Sequence, residues 1–203
     1  MRTTSILLLL CILIGCGEEQ EKSEKLPFIS KEPIEFSGFL NQDSISVKSE
    51  TYKGKIWVAE FFFASCPTIC PIMNREMKLL QNFYQKSMPK NTIQFLSFSI
   101  DPTHDTPSVL NNYKNQLCES CPNWDFLTGG EQQTHLLGIQ DFKIFAGKDD
   151  EAQGGYAHSG AFSLIDKKGF VRGVYNITDF NGLADKNEVL RLKRDITKLM
   201  KYE

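Results

Sequence analysis

Two cysteines three residues apart, Cys66 and Cys70, are the part of this sequence best equipped to do chemistry. They lie in the run Phe61-Phe62-Phe63-Ala64-Ser65-Cys66-Pro67-Thr68-Ile69-Cys70-Pro71. Residues 56–63, before them, are apolar and aromatic and read as a buried strand. After them, Ile72, Met73, Met77, Leu80 and Phe83 recur at helical spacing. Pro71 suits the first turn of that helix, where a backbone N–H is dispensable. The pair is therefore expected on a strand-to-helix turn at the positive end of a helix, a field that favours thiolate over thiol. Such a pair is a redox couple or a claw for a soft metal. A plain disulfide staple is the blander alternative, and the helix start and flanking prolines speak against it.

The other candidates are weaker. Cys118 and Cys121 form a second pair, two residues apart, at the expected end of a helix. A structural disulfide bracing the loop before Trp124 is the first reading; a second redox centre and a metal site are the others. A helix C-terminus does not stabilise thiolate. His158 precedes a strand and reads equally as a loop residue or a ligand. His104 and His135 read as surface or locally hydrogen-bonded side chains. Met73 and Met77 read as core. Asp101 and Asp105 could work as a carboxylate pair, but a turn start and a helix cap explain them more simply, with Asp101 close enough to the end of its strand to stand behind a metal.

The elements that must position these residues alternate along the chain. Residues 36–47 make a hairpin about Asn41-Gln42-Asp43-Ser44, and Tyr52-Lys53-Gly54-Lys55 is a turn. The helix after Cys70 runs to about Ser87 and stops at Met88-Pro89-Lys90-Asn91. A strand over 92–100 leads to a helix over 107–117, capped by Asp105 or Thr106. A short strand over 123–128, a helix over 131–140 and a brief extended piece over 142–145 follow. Residues 146–157, with Gly154-Gly155, read as loop. Strands over 159–165 and 170–175 form a hairpin about Asp166-Lys167-Lys168-Gly169, and an amphipathic helix over 187–202 closes the chain. This order makes an α/β fold with a central mixed sheet flanked by helices and an N-terminal β-hairpin.

The 203 residues, 41% of them hydrophobic, suit one domain. A formal net charge of −2 gives no reason to expect nucleic acid. Residues 1–15 read as a signal peptide: Arg2 is the positive end and residues 6–14 the apolar core. Leu13-Ile14-Gly15-Cys16 resembles a bacterial lipobox, which makes Cys16 the lipidation site and leaves Cys11 in the removed segment. Residues 16–33 then read as a flexible tether and 34–203 as the domain. The expected location is membrane-anchored, facing the periplasm, where thiols close together tend to be oxidised.

Three motifs in order resemble the SCO/SenC family. Cys66-Pro67-Thr68-Ile69-Cys70-Pro71 is similar to its CPxxCP motif, and Ser99-Ile100-Asp101-Pro102 with Asp105-Thr106-Pro107 to its second signature. His158-Ser159 stands where the family keeps its histidine, and Asn123-Trp124-Asp125-Phe126-Leu127-Thr128-Gly129 extends the likeness. The resemblance implies a thioredoxin-like fold and one copper ion, Cu(I) or Cu(II), held by Cys66, Cys70 and His158. It further implies a metallochaperone role toward the CuA-bearing subunit of cytochrome c oxidase, with a copper donor or thiol reductant upstream. Two departures stand out: Ala157 replaces the Asp the family often has before the histidine, and His104 stands where Arg is common.

The competing function is a thiol-disulfide oxidoreductase or redox sensor acting on a partner's cysteines. Redox thioredoxins usually carry two residues between their cysteines, a Trp before the first and a cis-proline opposite. Here there are three, Ser65 precedes Cys66, and Ala157-His158-Ser159 offers a metal-capable side chain instead. A thioredoxin-type peroxidase fits less well, for want of a Thr-x-x-Cys site.

Overall fold

The computed structural model describes residues 25–87, 92–149, 151, 155–179 and 181–202, with only the backbone of His158. The signal segment, Cys16, the stop at Met88-Pro89-Lys90-Asn91 and Gly154 lie outside the described residues.

The strand leading to the thiol pair, Ile56–Phe62, is buried along its whole length because six of its seven side chains are apolar and water is excluded from both faces. We number the strands β1 (Phe39–Asn41), β2 (Ser46–Val47), β3 (Ile56–Phe62), β4 (Ile93–Ser99), β5 (Trp124–Thr128), β6 (Ala146–Lys148), β7 (Tyr156–His158), β8 (Ala161–Ile165) and β9 (Val171–Asn176). The helices are α1 (Cys70–Ser87), α2 (Pro107–Leu117), α3 (Glu131–Leu136) and α4 (Lys186–Tyr202). Seven strands form one sheet in the order β2-β1-β5-β4-β3-β8-β9, and β6 and β7 form a separate two-stranded sheet.

Register explains why distant residues meet. β3, β4 and β5 are parallel, with Phe62 opposite Ser99, so the thiol turn and the Asp101 loop leave the sheet at the same end. β8 runs antiparallel to β3, Ala59 opposite Ser163, so the chain enters β8 from that end directly after His158. Loops at the carboxyl ends of parallel strands are where open α/β sheets place their sites.

Aromatic rings fill the interior. Phe98 packs against Phe36, Phe39, Phe61 and Phe142 with ring centroids 5.2–5.4 Å apart. Each buried Phe contributes about 1.5–3 kcal/mol through lost apolar hydration. Met73 and Met77 are fully buried on the inner face of α1.

Several expectations change. Part of the stretch read as loop is paired: residues 146–148 form β6 and pair with β7, Ala146 opposite His158 and Lys148 opposite Tyr156. The extended piece expected over 142–145 is absent as a strand, because α3 passes at Leu137 into a π-type turn ending at Phe142. Gly138 sits in that turn against Phe61 and the Ile144 carbonyl, where a Cβ would come within 3.1 Å of the oxygen. The cap of α2 is Thr106, whose hydroxyl accepts from the Val109 N–H, and not Asp105. The stretch read as tether is bound to the domain from Leu26 onward. The Ile29 N–H donates to the Val171 carbonyl (2.8 Å), and the Arg172 guanidinium donates to the carbonyls of Leu26 and Pro27. Arg172 is itself buried and paired with Asp166 at 2.8 Å.

Candidate metal centre

β3 ends at Phe62, and the chain turns back on itself when the Cys66 N–H donates to the Phe63 carbonyl (3.1 Å). Cys70 opens α1, and the N–H groups of Ile72 and Met73 both donate to the Ile69 carbonyl, tightening the first turn. The two sulfurs are close enough to hydrogen-bond, and neither is in a disulfide. Cys66 is the outer one, 7% exposed against 1% for Cys70, and its sulfur lies 3.6 Å from the Thr68 hydroxyl.

The thiolate expected at a helix start is not what burial allows for Cys70. Loss of water around it pushes the thiol up, and the hydrogen bond and charge of Cys66 and the nearby Glu60 act the same way. A backbone hydrogen bond at Phe63 only partly opposes them. Metal-free Cys70 is therefore held with its proton, and a cation that prefers sulfur must displace it.

Behind the pair lies a polar pocket that sequence reasoning missed. Glu60 is fully buried in the middle of β3, and burial pushes its carboxyl up to about 8. One oxygen accepts from the Ser97 hydroxyl (2.6 Å), which accepts in turn from the Trp124 indole N–H (2.9 Å). The other oxygen has no partner among the described residues, and neither has Oδ1 of Asn74. The Asn74 amide donates to the Cys70 carbonyl and to the Tyr113 hydroxyl, both at 3.0 Å. A lone carboxylate inside an apolar strand was the signal available in the sequence.

Asp105 is not the helix cap; it braces the turn. Its Oδ2 accepts from the Ala64 N–H (3.0 Å) and the Ser99 hydroxyl (2.6 Å). Burial raises its pKa while these two donors lower it. Asp101 is buried too and takes the His104 Nδ1–H on both oxygens (2.9 and 2.8 Å). Those bonds raise the His104 pKa although the ring itself is exposed. His135 lies with Nε2 3.3 Å from the Ile100 carbonyl. A cleft of about 340 Å³, bordered by Ser65, His104 and Tyr113, opens beside the thiol turn.

His158 ends β7, at the sheet end that carries the thiol turn; its side chain lies outside the described residues. Two residues earlier, the Tyr156 ring packs on Phe63 at 5.3 Å. Among the described residues, no group of three His, Cys, Asp or Glu side chains is gathered as a metal site. Two adjacent sulfurs nevertheless suit a soft ion such as copper(I), and a segment bearing an imidazole reaches the same end. Cys118 and Cys121 are joined to each other, far from this site, past the C-terminus of α2.

A thiol pair spanning the turn from a central strand to the first residue of a helix, in a mixed sheet, defines a thioredoxin-like protein with a CxxxC centre. The chain belongs to the SCO1/SenC family, whose model matches residues 31–188. It is 34% identical over 180 residues to the SCO1 protein homolog of Bacillus subtilis (strain 168), covering 88% of this chain and 86% of that one. A SCO1/SenC family lipoprotein from Bacillus anthracis str. Ames superposes with a TM-score of 0.71 at 31% identity, over 84% and 98% of the two chains. BsSco, described with a disulfide switch and as one of the Sco family of cytochrome c oxidase assembly proteins, gives 0.69 at 28%, over 89% and 100%. Copper-bound Arabidopsis thaliana ScoI shares the fold at 0.65 with 19% identity, over 84% and 99%.

Proposed function

We propose that this chain binds one copper ion through Cys66, Cys70 and His158 and delivers it to the CuA-bearing subunit of cytochrome c oxidase. The observation that carries the reading is the pair of adjacent sulfurs at the end of β3, facing the end of the sheet where β7 delivers His158. Copper-bound and oxidase-assembly relatives support it. Two thiolates and one imidazole leave copper three-coordinate and open to a partner's sulfur, which transfer requires. Cys66, the more accessible sulfur, is the one a partner meets first. Lipidation of Cys16 would hold the domain at the periplasmic face of a membrane, in line with the lipoprotein among its relatives.

A second reading rests on the same proximity. The two thiols can close to a disulfide, releasing two protons and two electrons to a partner disulfide, as an oxidoreductase or redox sensor does. Titrating copper into the reduced protein separates the two. One equivalent bound tightly, with sulfur-to-copper charge-transfer bands that vanish in Cys66→Ala, establishes the metal site. No stoichiometric copper, with a disulfide that cycles against a thiol donor, establishes the oxidoreductase.

A further inference from the structure

His158 is carried by a two-stranded hairpin outside the main sheet, and an isolated pair of three-residue strands is marginal on its own. Something must fix this arm relative to the thiol turn. Of the hairpin's described side chains, Tyr156 is the one that hydrogen-bonds outside it: its hydroxyl donates to Asp101 Oδ1 at 3.2 Å. The same ring lies on Phe63, whose carbonyl holds the Cys66 N–H, and edges toward His135 at 6.3 Å. Asp101 is a buried acceptor, and His104 Nδ1–H also donates to its two oxygens. Ala157, beside His158, has no polar group with which to do the same.

We propose that Tyr156 and Asp101 are positioning residues for the metal site: their hydrogen bond latches the β6–β7 arm to the loop after β4, so that His158 meets the metal from a fixed backbone. The proposal rests on the reading of His158 as a ligand. Its physical content is preorganisation. A ligand on a loose arm must be ordered when the metal binds, and that cost weakens the site. Loss of a partner that orients a ligand typically costs 10–100-fold in metal affinity.

The test is copper titration of the reduced full chain as wild type, Tyr156→Phe, His158→Ala and the double variant. Tyr156→Phe keeps the ring on Phe63 and removes only the hydroxyl. We expect it to bind one copper about tenfold more weakly, with a shifted Cu(II) spectrum, and to form the Cys66–Cys70 disulfide as readily as wild type. In the His158→Ala background the same change should add nothing. Unaltered affinity in Tyr156→Phe, or a tenfold loss that persists without His158, overturns the latch. Should the wild type bind no copper, the functional reading fails, and amide hydrogen exchange then decides the latch. Tyr156→Phe should speed exchange in 146–148 and 156–158 without metal, and unchanged exchange there overturns it.

Discussion

The molecule holds two cysteine pairs, and nearly everything about their surroundings is opposed. Cys66 and Cys70 follow the carboxyl end of β3 and open α1; Cys118 caps the end of α2, and Cys121 precedes the amino end of β5. Because β3 and β5 run parallel in one sheet, the pairs lie at opposite ends of it, roughly 20 Å apart for a seven-residue strand. The first pair keeps its thiols, with Glu60, Asn74 and Tyr113 behind it and a second chain segment brought up to it. The second is closed on itself, with Gln81 Oε1 3.4 Å from the Cys121 sulfur. What separates a reactive pair from a staple is thus where the sheet end places it and what else arrives there, more than the spacing of the cysteines.

The sharpest way to break this comparison is to remove one sulfur from each pair. Cys70→Ala should abolish stoichiometric copper binding and its charge-transfer bands, whereas Cys118→Ala should leave both intact; equal effects would erase the distinction. His158→Ala comes next: copper affinity should fall by one to two orders of magnitude, while the Cys66–Cys70 disulfide still forms. Affinity equal to wild type in a metal titration would remove His158 from the ligand set.

A third prediction concerns the buried acid behind the first pair. Glu60 binds its proton up to about pH 8 in the folded chain and only to about 4.5 when unfolded. Between those values the folded state holds more protons at this site, so the contribution of Glu60 to stability is greatest below about 4.5, falls as pH rises, and levels off above about 8. Glu60→Gln should remove that decline, by up to about 1.4 kcal/mol per pH unit. Denaturant melts of metal-free wild type and variant across this range check it, and parallel curves would refute it. The smallest effect belongs to the staple. Cys118→Ser with Cys121→Ser opens a very short loop, worth about 2 kcal/mol, or a melting point lower by roughly 4–8 °C, with copper stoichiometry unchanged.

Much of this was legible in the sequence because it is local. The apolar run before Cys66, the helical spacing after it, the Asp166–Gly169 turn and α4 each declare themselves within a dozen residues. What was hidden depends on contacts far apart in the chain. Asp105 looked like a cap because it precedes Pro107, yet it serves Ala64, 41 residues away. The β6–β7 hairpin read as loop because three-residue strands rich in Gly and polar residues carry no period to detect. The thiolate expectation used the helix alone; packing around Cys70, set by the whole core, reverses it. Glu60 is a single acid in an otherwise apolar run, and the run's periodicity says nothing of its burial or of the Ser97 hydroxyl that meets it.

The strap over 26–34 has a bearing on how such molecules coexist. β9 is an outermost strand, and an open strand margin is a template onto which another copy can add. Here the Val171 N–H and carbonyl are already engaged by Ser30 and Ile29, and the Phe28 ring lies over Arg172. The opposite margin, β2, is only two residues long. A second copy that tried to add a strand at the β9 margin would find the first residue of β9, Val171, already paired.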